Sequence, residues 1–67
     1  MMKIVIAGNY QQYKEYLRKT NQSPRDAKYI EFPEQLRGLR NVEIVRYGTW
    51  WESPVAGDEY LNIINVP

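Results

Sequence analysis

The chain has 67 residues with nine basic and eight acidic side chains, and it contains neither cysteine nor histidine. This length allows one small domain, and the missing residue types exclude a disulfide, a thiolate metal site and a Ser-His-Asp or Cys-His catalytic system. The net charge of +1 argues against an electrostatic nucleic-acid binder. We therefore expect no catalytic residue, no cofactor and no metal, and we do not expect nucleic acid as a partner.

The first predicted element is a strand over Ile4–Ala7, whose residues are apolar on both faces. A strand of this kind fits a central place in a parallel sheet. Gly8 follows it and would allow a tight turn or a close backbone approach. Asn9 is the predicted N-cap of a helix, and Gln12 would complete a capping box with it.

The predicted helix covers Tyr10–Thr20. Apolar and aromatic residues recur there at helical spacing, and they are Tyr10, Tyr13, Tyr16, Leu17 and Thr20. Asn21 is a plausible C-cap for this helix. The spacing predicts that the tyrosines mainly pack against the sheet.

The middle of the chain predicts a short turn, a strand and a short helix. Ser23 and Pro24 favour a single helical turn, and the second strand is predicted over Ala27–Phe32. Pro33–Arg37 then predicts a short helix that ends at Gly38 in a left-handed cap.

The third strand is predicted over Val42–Tyr47. Val42, Ile44 and Val45 are the residues expected to be buried there, and two charged residues indicate a partly exposed edge position. A loop over residues 48–57 follows, and Asp58 then caps a last segment, Glu59–Val66. The spacing of its apolar residues favours a helix. A fourth strand is the alternative, because two adjacent residues there are β-branched.

The order of elements is β-α-β-α-β-α, and short crossovers of this kind require parallel strands with right-handed connections. The sequence therefore predicts an α/β fold in three layers. We expect one small domain over residues 1–67, with a three-stranded parallel sheet and the first strand in its centre.

Ligands of open α/β sheets bind beyond the carboxyl ends of the strands. Three loops meet there in the predicted fold, at residues 8–10, 32–34 and 48–52, and we call them the carboxyl-end loops. One tryptophan of the third loop is expected to cover the core and the other to be exposed. The predicted contact residues for a ligand or partner are Gly8, Asn9, Tyr10, Gly48, Thr49, Trp50 and Trp51.

Two functions from different classes fit this prediction. A minimal sheet with open edges and a surplus of aromatic residues favours a non-enzymatic protein-interaction module that forms a homodimer. The alternative is a nucleotide- or phosphate-binding domain, in which Gly8 and Asn9 present a helix N-terminus to an anion. Binding of single-stranded nucleic acid through tryptophan and arginine is a third and weaker reading.

The apolar N-terminal run is too short for a secretory signal, and no stretch approaches the ~20 apolar residues that span a membrane. These features predict a cytoplasmic protein without membrane contact.

A family resemblance is carried by Lys3–Asn9, Ala27–Phe32, Leu36-Arg37-Gly38-Leu39 and Val42–Glu52. This pattern is similar to small bacteriophage-encoded proteins with a minimal Rossmann-like or P-loop-like half domain. The resemblance implies a phage-encoded protein in the host cytoplasm, with a host or phage protein as partner. The chain has no Walker lysine, and Tyr47-Gly48 stands where an acidic residue would end the third strand, so no catalytic residue carries over.

Overall fold

The computed structural model describes residues 2–64 of the protein. Its strands are parallel and lie in the order β2-β1-β3, which confirms the predicted α/β fold with the first strand central. The elements in chain order are β1 (Lys3–Ala7), α1 (Tyr10–Thr20), β2 (Ala27–Tyr29), a 3₁₀ turn (Pro33–Leu36), β3 (Glu43–Tyr47), a second 3₁₀ turn (Trp50–Glu52) and α2 (Tyr60–Ile64).

β1 divides two apolar clusters because its residues alternate between the faces of the sheet. Val5 and Ala7 pack against α1 on one face. Ile4 and Ile6 pack on the other face against the segments that follow β2 and β3. The residues of that second cluster outside β1 are Ile30, Leu36, Val42, Val55, Leu61 and Ile64. The sheet is thus the middle of three layers, as predicted.

α1 has the predicted bounds and the predicted caps. The Asn9 side chain accepts a hydrogen bond from the Gln12 N–H at 2.9 Å, and Asn21 ends the helix in the left-handed conformation with φ 55°. The capping box is wrong in its second half, because the Gln12 side chain binds Gly8 N–H rather than Asn9 N–H. Gln12 Oε1 also accepts the Thr49 N–H, so this side chain joins the loops after β1 and β3 instead of closing the capping box.

β2 ends at Tyr29, earlier than the predicted Phe32. The Ile30 N–H still donates to the Val5 carbonyl oxygen, and Phe32 N–H would be the next to face β1, since alternate residues of a strand face opposite sides. Gln35 Oε1 instead accepts the Phe32 N–H at 2.8 Å, together with the Glu31 N–H at 2.7 Å. This side-chain interaction competes with the strand ladder and ends it.

β3 lies at an edge, as predicted, but its apolar residues are less buried than expected. Ile44 and Val45 are half-buried, whereas Val42, just before the strand, is buried. The physical reason is that β3 has a neighbouring strand on one side only.

The last segment is helical over Tyr60–Ile64, so the alternative of a strand is wrong for these residues. The Asp58 side chain accepts a hydrogen bond from Tyr60 N–H at 2.8 Å, as a cap would. Val66, the predicted end of this helix, lies outside the described residues. Within residues 2–64, neither helix has the length and apolar character that crossing a bilayer requires.

Candidate functional site

Two of the carboxyl-end loops lie directly against each other. Gly8 follows β1 and Gly48 follows β3, and these strands are neighbours in the sheet. A Cβ on Gly8 would overlap the Thr49 hydroxyl and lie 2.8 Å from the Thr49 carbonyl oxygen. Glycine is therefore required at position 8 because the loop after β3 approaches it closely. The sequence predicted either such a close approach or a tight turn at this position.

The Gln12 carboxamide joins these two loops. Its Oε1 accepts hydrogen bonds from Gly8 N–H at 2.9 Å and from Thr49 N–H at 3.0 Å. Its Nε2 donates to Thr49 Oγ1 at 2.8 Å. Gly48 has φ +60°, and a Cβ there would overlap the same carboxamide. One side chain from the first turn of α1 thus fixes the ends of β1 and β3.

The third carboxyl-end loop is closed by a second glutamine. Gln35 Oε1 accepts the N–H groups of Glu31 and Phe32, which directly follow β2. Free backbone N–H groups at the ends of parallel strands and the start of a helix are what binds an anion in α/β folds. Glutamine carboxamide oxygens already accept four such N–H groups, which belong to Gly8, Thr49, Glu31 and Phe32. They occupy the place that an anion would take.

Aromatic side chains are exposed in each of the three carboxyl-end loops. Tyr10 follows β1 and is 57% exposed, Phe32 follows β2 and is 51% exposed, and Trp51 follows β3 and is 63% exposed. Among residues 2–64, Met2 and Ile63 are the other large hydrophobic side chains with high exposure. The carboxyl end of the sheet therefore combines four backbone N–H groups that are bound within the chain with an aromatic surface.

Each exposed aromatic side chain in the two loops after β1 and β3 is supported by a second ring. Tyr10 lies beside Tyr13 and Tyr29, with both centroid distances at 5.7 Å. Trp51 meets Trp50 edge to face at 5.9 Å, and Trp50 packs on the core. The prediction that one tryptophan covers the core and the other is exposed is confirmed.

Two cations lie against these rings. Lys14 Nζ is 5.9 Å from the ring centroid of Tyr10, and the guanidinium carbon of Arg46 is 5.5 Å from that of Trp50. These distances are in the range of cation–π attraction. One cation thus lies beside the exposed ring of Tyr10 and another beside Trp50, which supports Trp51.

The tyrosines with shifted pKa lie in the same region and owe the shift to burial. Tyr13 donates a hydrogen bond to the Ala27 carbonyl oxygen at 2.6 Å. Burial and the neighbouring Tyr10 raise the pKa of Tyr13, and burial and Glu31 raise the pKa of Tyr29. Both tyrosines are neutral at physiological pH, and they stack on each other with ring centroids 5.0 Å apart.

A separate polar cluster lies where α1 crosses β3. The Tyr47 hydroxyl donates to Glu15 Oε1 at 2.7 Å, and Lys19 Nζ is 3.2 Å from the same carboxylate. The Tyr47 hydrogen bond, followed by Lys19, lowers the pKa of the Glu15 carboxyl. The Glu15 carboxylate raises the pKa of Lys19 in turn. Across residues 2–64, no three histidine, cysteine or carboxylate side chains are grouped as metal ligands would be.

The structure places the predicted contact residues at one end of the sheet, but not all of them on its surface. Asn9 is used as a helix cap, Gly8, Gly48 and Thr49 hold the loops together, and Trp50 packs on the core. Asn9, Tyr10, Gly48 and Trp51 are exposed, and Tyr10 and Trp51 are the large hydrophobic side chains among them.

Three residues that matter here are absent from the predicted set of contacts. Phe32 was placed in a carboxyl-end loop by sequence but was not selected, although it is the exposed aromatic after β2. Gln12 was assigned to a capping box, and Gln35 to a short helix. The signal that all three share is position, because each lies within five residues of the end of a predicted strand.

Comparison of the chain with protein-family models, with curated proteins and with solved structures gave no match.

Proposed function

We propose that this protein is a small non-enzymatic interaction module that docks on another protein through Tyr10, Phe32 and Trp51 and that associates with itself. The observation that supports this function best is the contrast at the carboxyl-end loops. Their backbone N–H groups at Gly8, Thr49 and Phe32 are bound within the chain, whereas these aromatic side chains are open to solvent.

Aromatic residues of this kind favour a protein partner. Tyrosine, tryptophan and phenylalanine are enriched at protein interfaces, and tyrosine and tryptophan are prominent among the residues that dominate binding energy. Tyr10 and Trp51 are held by neighbouring rings, so little side-chain freedom remains to be lost when a partner binds. We expect a partner surface with apolar pockets and with acidic groups near Lys14 and Arg46.

The alternative, a nucleotide or phosphate ligand, is less well supported. An anion would have to displace Gln12 Oε1 from Gly8 N–H and Thr49 N–H. It would then compete with hydrogen bonds that also hold β1 and β3 together. A phage origin, a host or phage protein as partner and a cytoplasmic location stay predictions from the sequence.

An affinity capture with matched variants tests the proposal. The immobilised chain is compared with a variant carrying Tyr10→Ser, Phe32→Ser and Trp51→Ser in an extract of the source cell. The control is Ile63→Ser, because Ile63 is exposed on α2 near the amino end of β3. We expect a specific protein to be retained by the wild type and the control but not by the triple variant.

Equal retention by all three forms would contradict the proposed surface. A thermal-shift series with nucleotides and inorganic phosphate tests the alternative of a nucleotide- or phosphate-binding domain. A ligand that binds only the folded state raises the stability of the protein. Stabilisation of the wild type by a nucleotide, abolished by Trp51→Ser, would favour the nucleotide-binding domain instead.

A further inference from the structure

The edge strand β3 has apolar side chains on both faces that no part of residues 2–64 fully covers. Ile44 lies on the face of the larger apolar cluster, and Val45 and Tyr47 lie on the face of α1. All three are half-buried, whereas their neighbours Ile4, Val5 and Ala7 in β1 are buried. Further chain beside β3 would complete their burial.

The backbone of β3 has hydrogen-bonding groups available on the same side. The Glu43 N–H donates to the Met2 carbonyl oxygen at 2.9 Å. Since alternate residues of a strand direct their N–H and C=O groups to opposite sides, Val45 also faces β1. Ile44 and Arg46 consequently direct both groups away from the sheet. The Arg46 side chain leaves this edge uncovered, because its guanidinium lies over Trp50.

The start of this edge is covered, and the opposite edge of the sheet is short and partly occupied. Val42 N–H donates to the Ile64 carbonyl oxygen at 3.0 Å, so α2 covers the start of β3. At β2, the outward N–H of Ala27 donates to Ser23, and its carbonyl oxygen accepts from the Tyr13 hydroxyl. β2 is also only three residues long. The open stretch is thus the middle of β3.

We propose that a second copy of the chain pairs with this edge, β3 antiparallel to β3, with the two-fold axis at Val45. This inference rests on the self-association in the proposed function and specifies its surface. Ile44 would stand opposite the partner's Arg46, and Arg46 opposite the partner's Ile44. Each pair exchanges two backbone hydrogen bonds, because all four residues direct these groups outward.

The neighbouring registers fit less well. A two-fold axis at Arg46 would place two guanidinium groups directly opposite each other, which is unfavourable. It would also bring Ile44 to the partner's Gly48, whose φ of +60° lies outside the strand region. An axis at Ile44 would bring Arg46 to the partner's Val42, where α2 already occupies the edge.

Side chains and charges also match when the axis passes through Val45. Val45 meets the partner's Val45 on the α1 face, and Ile44 meets the aliphatic stem of the partner's Arg46 on the other face. Glu43 stands opposite the partner's Tyr47, whose ring has Lys19 Nζ at 5.9 Å in each copy. The carboxylate and the ammonium group would then be on the same face of the joined sheet.

Single cysteines in this cysteine-free chain test both the pairing and the register. Val45–Val45 would be a pair without mutual backbone hydrogen bonds, with Cα atoms about 4.5 Å apart, and a disulfide needs roughly 4.4–6.8 Å. In Ile44→Cys and Arg46→Cys the two thiols would be displaced along the strands and out of reach. We expect Val45→Cys to form a disulfide-linked dimer under mild oxidation, and the two controls to stay largely uncrosslinked.

The unsubstituted chain is examined in parallel by sedimentation velocity from low micromolar to millimolar concentration, where we expect a monomer–dimer equilibrium. A strict monomer, or crosslinking of Ile44→Cys or Arg46→Cys in preference to Val45→Cys, would overturn the inference. A strict monomer would also be the result if another segment of the chain, or only a foreign protein, covered β3.

The test is independent of the aromatic surface. Adding Tyr10→Ser, Phe32→Ser and Trp51→Ser to Val45→Cys should leave the crosslinking yield unchanged, because these residues lie outside β3. Loss of partner capture with unchanged crosslinking, or the reverse, would therefore show which of the two surfaces fails.

Discussion

At the scale of single residues, Gln12 determines how the two glycine loops meet. Its carboxamide binds Gly8 N–H, Thr49 N–H and the Thr49 hydroxyl, so one side chain satisfies groups that are 41 positions apart in sequence. Removing a partner from a buried hydrogen bond costs more than the bond itself contributes, because the donors are left unpaired.

We expect Gln12→Ala to lower the free energy of unfolding by about 1–3 kcal/mol, the usual effect of leaving polar groups unpaired. Gln12→Glu should cost less, because a carboxylate can accept both N–H groups at a helix N-terminus. Urea denaturation measures both variants. Gln11→Ala is the matched control, since Gln11 is exposed on the same turn. If Gln11→Ala lowered the free energy of unfolding as much as Gln12→Ala does, the role of the Gln12 carboxamide would be contradicted.

Glu15 gives the stability a dependence on pH. The hydrogen bond from Tyr47 and then the charge of Lys19 hold the pKa of Glu15 below its ordinary value. A depressed carboxyl pKa means stability that is present above the unfolded-state pKa and is lost as the pH falls through the folded-state pKa. This contribution should disappear below about pH 4, near and below the ordinary glutamate pKa.

Tyr47→Phe should raise the pKa of Glu15 towards its ordinary value and weaken the loss of stability in acid. An NMR titration of the Glu15 side-chain carboxyl carbon reads the pKa directly. Tyr60→Phe, on the opposite layer of the fold, serves as the control. An unchanged Glu15 pKa in Tyr47→Phe would show that the tyrosine hydroxyl does not stabilise the carboxylate.

At the scale of elements, the end of β1 and the end of β3 are built to approach each other closely. Gly8→Ala would insert a methyl group against Thr49, and we expect a loss of about 1–3 kcal/mol, as for other overpacked sites. Gly57→Ala is the matched control, because a Cβ at Gly57 would meet no atom within 4 Å. Thermal unfolding followed by circular dichroism compares them, and equal stability of the two variants would argue against a tight contact at Gly8.

The elements were predictable from the sequence where one local pattern decides them. Apolar β1, the tyrosines of α1 and the left-handed Asn21 all follow from short-range spacing and caps. The end of β2 was not predictable, because Gln35 Oε1 accepts the Phe32 N–H, which would otherwise be the next donor to β1. The partial exposure of Ile44 and Val45 in β3 was not predictable for a related reason. A pattern of apolar residues does not show whether anything covers the edge of the sheet.

The candidate site shows the same division between local and long-range information. Its position followed from the parallel topology, which places the ends of all strands together. Its chemistry did not follow, because the link between Gln12 and Thr49 spans most of the chain. Sequence alone left Gly8 and Asn9 open to an anion, whereas in the folded chain Gln12 Oε1 already accepts the Gly8 N–H.

At the scale of the whole molecule, the proposed pairing links stability to protein concentration. A 67-residue domain buries only about 60% of the surface of its unfolded chain, so its stability is marginal, and association with a second folded copy adds to it by mass action. We expect the unfolding temperature of the wild type to rise between low micromolar and millimolar concentration.

Arg46→Pro should remove that rise, because proline lacks the outward N–H and places its ring on the open edge. No bond to β1 is lost, since Arg46 directs its N–H away from β1. Arg46→Thr keeps the N–H and is the control, which should retain the dependence on concentration. An unfolding temperature independent of concentration in the wild type would contradict the pairing.

The opposite edge of the sheet bears on how far such an assembly can extend. Ser23 and Tyr13 bind the outward groups of Ala27, so two copies joined through β3 would present a short and partly blocked β2 at each outer end. Chains with two open edges can add subunits indefinitely and grow into filaments. In the proposed assembly, pairing would use the open stretch of β3 in both copies, so growth would stop at two chains.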